Sequence, residues 1–319
     1  MSVQEPSKPS LADSDTKGVS GSLNSLFERY LKYHETILGS TDATIKHKRV
    51  QLGGFLHYLE SQDHPMLPSE LTALDVLGQL SELHELGRKP ATINTRLRSI
   101  KAWCRWMLKW KIIDEDPTVL VDPAKVPKIR KPFISEAHFH ALLDLCPPTD
   151  LLGARRSAIL WLFLTSGIRK REMANLRLED LHWDRDSLRV IGKGEKEREA
   201  PFVYQAQLAI MKYTRHRHDE LPWLWVTEER EAKRMSYDGL GRDLSRLVER
   251  AGLKGQVKDV CHIFRRTLAA NAVRQGVTRP HIMGAMGWNS EAMIAHYTAA
   301  MELETEALEE FSRIKPFGG

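Results

Sequence analysis

The sequence predicts a mainly α-helical protein with one small β-sheet, an α+β chain in two domains. Three observations predict it. Apolar residues recur at helical spacing through most of the 319 residues. Two short strand-like runs, "SLRVIG" and "EREAPFVY", flank a Gly-containing turn, "KGEK". Residues 114–133 carry four prolines and no clear period, so they read as an interdomain linker. The length suits roughly two domains of about 150 residues each.

Each element follows in order. Residues 1–21 are polar and rich in Ser, Pro and Gly, the composition of a disordered tail, with no apolar stretch of a secretory signal. Over 22–38, Leu23, Leu26, Phe27, Tyr30, Leu31 and Leu38 sit at helical spacing. Thr41 or Asp42 caps a second helix reaching about Glu60, with Ile45, Leu52, Phe55, Leu56 and Leu59 facing inward. A third helix covers roughly 70–86 and a fourth roughly 91–111. Four helices without a strand make a small helical domain over 22–113. The second domain, 134–301, opens with a helix capped by Ser135 and continues with the apolar helix "RRSAILWLFLTSG". The two strands come next, and helices fill the sequence after about 205, interrupted by "LPWLWV". Residues 302–319 read as an acidic amphipathic tail with Leu303, Leu308, Phe311 and Ile314 available for contact.

The net charge of +5 says little by itself; its distribution says more. From Arg88 to Ile113 there are eight basic residues and no acidic one. Ile93, Leu97, Ile100, Cys104, Met107 and Leu108 form the apolar stripe of that helix and leave the cations for other faces. An ordinary solvated helix mixes signs to gain i,i+4 pairs. Arg96, Arg98, Lys101 and Arg105 therefore read as a surface that tracks phosphates. Lys46, His47, Lys48 and Arg49, in "KHKR", extend the same reading. Two domains on a basic linker suit closure around a rod-shaped polyanion.

Other classes are excluded. No run approaches the roughly 18 apolar residues that span a bilayer. The three cysteines, Cys104, Cys146 and Cys261, show no CxxC spacing, which indicates neither a disulfide framework nor a zinc site and suits a reducing cytoplasm. His138 and His140, near Cys146, are expected in helix-surface and core roles rather than as metal ligands.

The chemistry concentrates in four stretches. Arg169 lies just beyond Gly167, and Glu172 three residues on is close enough to hold its guanidinium. His262 and Arg265 are three apart and share one helix face. Ile263, Phe264, Leu268 and Ala269 around them indicate a buried helix, where a cationic pair calls for an anion. Together the runs "TSGIRKREMANL", "VIGKGEKEREAPF", "HIFRRT" and "MGWNSEAMIAHYT" resemble the tyrosine recombinase (phage integrase) family in content and order. The spacing agrees too, with 23 residues from Arg265 to Trp288 and nine more to Tyr297.

The resemblance implies a four-helix SAM-like core-binding domain that holds DNA, followed by a tyrosine recombinase catalytic domain. It implies that Arg169 and Arg265 grip the scissile phosphate and that Glu172 supports the first of them. Lys193 matches the lysine that protonates the departing 5′ oxygen; Lys196 competes for that role on position alone. His262 matches the histidine of the second arginine box, Trp288 stands where relatives carry histidine or tryptophan, and Tyr297 matches the nucleophile, with His296 a lesser competitor. Elementary chemistry concurs. Two guanidiniums suit the charge that builds on nonbridging phosphate oxygens. A tyrosine hydroxyl with a pKa near 10 needs a base and a positive field to attack.

The implied function is site-specific DNA recombination by cutting and rejoining strands through a 3′-phosphotyrosyl intermediate, as in integration, excision or resolution of mobile DNA. It needs no cofactor and no metal. The implied partners are double-stranded DNA, a homotetramer on two DNA sites with the 302–319 tail docking on a neighbour, and accessory DNA-bending proteins; no membrane is involved. The implied location is cytoplasmic, at the nucleoid when on DNA. Two alternatives stand beside it: a catalytically silent architectural DNA-binding protein, and a type IB topoisomerase or telomere resolvase.

Overall fold

A computed structural model describes residues 21–127, 133–192, 196–257 and 259–294. The expected tails, and Lys193, His296 and Tyr297, lie outside the described residues. The chain forms two compact units, residues 1–128 and 129–319.

The first unit holds four helices: α1 (Leu23–Thr36), α2 (Asp42–Ser61), α3 (Ala73–Glu85) and α4 (Pro90–Lys109). Local chemistry sets their starts. The Ser22 hydroxyl accepts from the Ser25 N–H at the head of α1. Thr72 and Asp75 form a capping box on α3. Pro90, at the first position of α4, lacks an N–H that the helix could not have paired. The core gathers Leu26, Phe27 and Tyr30 of α1, Leu52, Phe55 and Leu59 of α2, and Leu97, Ile100, Trp103 and Met107 of α4. Two expected core residues face out. Leu38 falls beyond the end of α1 and is 51% exposed, and Leu108 is 38% exposed. Trp103, fully buried edge-on to Phe27, takes the inner position on α4. Residues from the proline-rich stretch pack here as well. Thr118 and Val121 are buried, and Asn94 exchanges two 2.8 Å hydrogen bonds with the backbone of Ala124.

The second unit runs α5 (Glu136–Asp144), α6 (Leu151–Ser166), α7 (Lys170–Asn175), β1 (Leu181–His182), β2 (Ser187–Ile191), β3 (Glu197–Pro201), α8 (Tyr204–Arg215), α9 (Tyr237–Arg250), α10 (Val260–Arg274) and α11 (Arg279–Met286). Helix α6 is buried almost all round and packs on α8 and α10. The three strands are antiparallel in the order β1-β2-β3, with Val190 opposite Arg198. The two-residue β1 was not legible as a strand, because so short a run has no alternation to read. Buried arginines of α6 hold what packs on it: Arg156 forms a fork on Asp243 of α9, and Arg155 reaches Glu228, in the segment before α9, at 2.6 Å.

Truncation of Trp103 to Ala is expected to destabilise the first unit by about 3–5 kcal/mol through the cavity it leaves. Urea unfolding followed by circular dichroism reads this, and a loss below about 1 kcal/mol contradicts the packing described.

Candidate active site

Two helices end at glycines in the left-handed conformation: α6 at Gly167 (φ 60°) and α11 at Gly287 (φ 58°). Both positions are also crowded. A Cβ on Gly167 would lie 2.9 Å from the Met286 sulfur, and one on Gly287 would lie 2.9 Å from Cδ of Arg198. Only glycine lets these two helix ends close in.

The last turn of α11 supplies the frame. Gly287 N–H bonds back to Gly284 and Trp288 N–H to Met283. The carbonyls of Ala285, Met286 and Gly287 lie beyond the helical ladder and need other donors. Each receives a different arginine. Arg198 Nε donates to Ala285 O at 3.2 Å, Arg265 Nη2 donates to Met286 O, and Arg169 Nη2 donates to Gly287 O at 3.2 Å. Arg265 also donates through Nη1 to the carbonyl of Gly167, the cap of α6. It is only 3% exposed, and its guanidinium carbon lies 5.3 Å from the centre of the Trp288 ring.

Glu172 joins two of the three arginines. Its carboxylate accepts from Arg169 N–H at 2.7 Å, from Arg169 Nη1 at 2.7 Å and from Arg198 Nη2 at 2.9 Å. It is 4% exposed. Burial alone pushes its pKa up. The Arg169 backbone bond, then the charge and hydrogen bonds of Arg198 and Arg169, outweigh that and hold the carboxyl below its usual range.

The structure thus brings Arg169, Glu172, Arg265 and Trp288 together. Trp288 packs with Ala269, Ile282, Met286 and Ile294. His262 departs from the expectation of a buried pair. It is exposed, while Arg265 one turn on is buried; its neighbours Val260, Cys261 and Ile263 are buried, and His262 alone of the first turn reaches solvent. Lys193 and Tyr297 lie outside the described residues. Their flanks are placed: Gly192 N–H to Lys196 O at 2.8 Å closes the base of the β2–β3 turn, and Ile294, three residues before Tyr297, is buried beside Trp288. Arg198 was missed by sequence reasoning. A signal existed: it alternates in phase with Ala200, which is buried, between the exposed Glu197 and Glu199.

In the first unit, Arg98, Lys101 and Arg105 form a stripe along α4 at i, i+3 and i+7, with both arginines exposed. Arg96 does not join it. Its guanidinium turns inward and donates to the carbonyl of Gln51, fastening α4 to α2, and burial pushes its pKa down. Lys48 lies against Tyr30, its ammonium 2.9 Å from the hydroxyl, and Arg49 pairs with Glu28 at 2.6 Å. Lys46 and His47 are exposed.

Residues 132–304 match the phage integrase family, which is more than half of the chain. The chain belongs to the phage integrase family. Its relatives in that family include the tyrosine recombinase XerC of Myxococcus xanthus, 28% identical over 286 residues, covering 87% of this chain and 93% of the relative. The tyrosine recombinase XerD of Oceanobacillus iheyensis is 25% identical over 245 residues, covering 75% and 81%. Among solved structures, a lambda integrase(75-356) dimer bound to a COC' core site superposes with a TM-score of 0.70 at 15% identity, covering 93% of this chain and all of that one. The Tn1549 transposon integrase in complex with circular intermediate DNA gives 0.68 at 18% identity, over 86% and 94%. This integrase-family chain therefore shares their mainly helical fold with its small sheet.

Because the Glu172 carboxyl has a depressed folded pKa, its stabilisation is complete above the ordinary carboxylate value of about 4.3 and fades as pH falls through the lower folded value. Glu172→Gln is expected to cost on the order of 2 kcal/mol at neutral pH. Urea melts across pH should show the gap to wild type narrowing below about pH 4. A gap that persists unchanged to about pH 3 contradicts the assignment.

Proposed function

We propose that this integrase-family chain is a site-specific DNA recombinase whose reaction centre is the arginine cluster at the end of α11. The observation that carries the proposal is the convergence of Arg169 and Arg265 on neighbouring carbonyls of one turn. Two fixed guanidiniums side by side form a seat for one phosphate, and the fork of each suits two oxygens.

In the proposed reaction the Tyr297 oxygen attacks the scissile phosphorus. A phosphotyrosyl bond forms and the bond to the 5′ oxygen breaks. The phenol proton leaves to a base, with His262, exposed one turn before Arg265, taking it or assisting its transfer. Lys193 gives a proton to the departing 5′ oxygen. Arg169 and Arg265 stabilise the charge on the nonbridging oxygens throughout. Trp288 can donate a hydrogen bond through its indole N–H but cannot shuttle a proton, and its ring lies against the Arg265 guanidinium. A second strand's 5′ hydroxyl then attacks the phosphotyrosine, and the linkage energy is conserved without nucleotide or metal.

The partner in this reading is duplex DNA, with Arg98, Lys101 and Arg105 of α4 on its backbone. A homotetramer on two sites completes the exchange, supported by the fold likeness to a lambda integrase tetramer bound to a Holliday junction, with a TM-score of 0.69 at 15% identity. The tail 302–319 docks on a neighbouring copy. Among the described residues no helix is long and apolar enough to cross a membrane, and we place the reaction in the cytoplasm on chromosomal or mobile DNA.

A nicked suicide substrate tests the proposal. Wild type is expected to accumulate a covalent DNA adduct, and Tyr297→Phe to form none. Arg265→Ala should lower the cleavage rate by about 10²–10³ while DNA affinity stays within a few-fold, because many other phosphate contacts remain. Equal loss of binding and cleavage overturns the assignment. Neutralising Arg98, Lys101 and Arg105 together should reduce the slope of log K against log salt by about 2–3. An unchanged slope removes α4 from the interface.

A further inference from the structure

Arg198 lies within the run "VIGKGEKEREAPF" but has no role of its own in the proposed reaction, yet it binds the sheet to the arginine cluster. It stands on β3, the edge strand that leads out of the β2–β3 turn. The last paired rung before that turn is Ile191 opposite Glu197, and Arg198 is on the next rung, opposite Val190. Its side chain is 12% exposed, and its fork faces two ways. Nη2 donates to Glu172, the carboxylate that also holds Arg169, and Nε donates to Ala285 O, the neighbour of the carbonyl that holds Arg265. The bare Cα of Gly287 leaves room for it to pass.

Mechanically, this is one attachment with a defined consequence. Lys193 follows the end of β2 by two residues and precedes β3 by four, at the end of the sheet where β2 pairs with β3. Short, two-stranded edges are weakly stable without an anchor. Burying a cation there is costly unless its charge and donors are satisfied, and Glu172 and Ala285 satisfy them. The anchor fixes the base of the turn in the same frame as the two guanidiniums that seat the phosphate. The strand's neighbouring side chains, Glu197 and Glu199, are exposed and pair within the sheet, with Arg189 and His182, rather than with the arginine cluster.

We propose that Arg198 is a positioning residue that sets the turn carrying the general acid against the phosphate seat, acting on departure of the 5′ oxygen rather than on phosphate binding. The inference rests on the reading of Lys193 as the acid. In the step concerned, the P–O5′ bond breaks, its electron pair goes to the 5′ oxygen, and the Lys193 ammonium proton follows. A sulfur at that bridging position leaves as a thiolate, whose parent thiol has a pKa near 8.5, and needs no such proton.

The test compares single-turnover cleavage of two otherwise identical nicked duplexes, one with oxygen and one with sulfur at the 5′ bridging position. Arg198→Ala is expected to slow the oxygen linkage by roughly 10²-fold, the scale of a general-acid contribution. On the sulfur linkage it is expected to run within about threefold of wild type, as Lys193→Ala should, while Arg265→Ala stays slow on both. Arg198→Lys keeps the charge beside Glu172 but has one donor head for two separated acceptors. It should show a smaller defect with the same sulfur rescue. If Arg198→Ala fails to fold by circular dichroism, Arg198→Lys carries the comparison. An Arg198 variant equally slow on both linkages, or unimpaired on oxygen, overturns the proposal. Lys193→Ala without sulfur rescue overturns the acid assignment beneath it, whatever Arg198 does.

Discussion

Three successive backbone carbonyls at the end of one short helix organise this molecule's chemistry. Ala285, Met286 and Gly287 fall past the hydrogen-bond ladder of α11, and Arg198, Arg265 and Arg169 each take one. The arginines come from β3, from α10 and from the start of α7. Elements far apart in sequence are thereby registered against a single turn. The two left-handed glycines are conditions of this arrangement, since a side chain at either would collide with Met286 or Arg198.

Electrostatics explains why such a cluster suits an anion. Glu172 pairs with the guanidiniums of Arg169 and Arg198, while Arg265 donates to the carbonyls of Gly167 and Met286. The carbonyl ends of α6 and α11 contribute only partial negative charge. Two guanidiniums held on one turn, Arg169 and Arg265, suit a phosphate as charge builds on it. Because the donors are already fixed on backbone groups, little reorganisation is needed when the anion arrives. The proposed roles of Arg169 and Arg265 follow from this preorganisation.

Much of this was legible in the sequence, and the gaps have physical causes. Helices α1, α2 and α4 declared themselves by apolar period, and Ser135 marked the start of α5; the proline-rich stretch read as a linker, yet Thr118 and Val121 are buried in the first unit. Arg169 and Glu172 were readable as a pair because three residues of helix bring them together. The convergence of Arg169 with Arg265 was not a local property; it needed family resemblance, and only the fold shows the carbonyls that join them. Arg198 went unnoticed because strand alternation over five residues is a weak signal beside two glutamates. Arg96 and Arg98 look alike in sequence, yet two residues on a helix is about half a turn. One faces α2 and the other faces out. His262 was expected inside from its apolar neighbours, whereas the start of α10 leaves it at the surface.

The central claim is that one turn seats the scissile phosphate between two arginines. A crystal structure of the Tyr297→Phe chain on an uncut duplex site tests it most directly. Arg169 and Arg265 are expected within hydrogen-bond reach of nonbridging oxygens of the same phosphate, each still bonded to its carbonyl in the 285–287 turn, with the ring of residue 297 facing the phosphorus opposite the 5′ oxygen. A phosphate backbone that passes elsewhere on the second unit, with Arg265 sealed from it, would contradict the account.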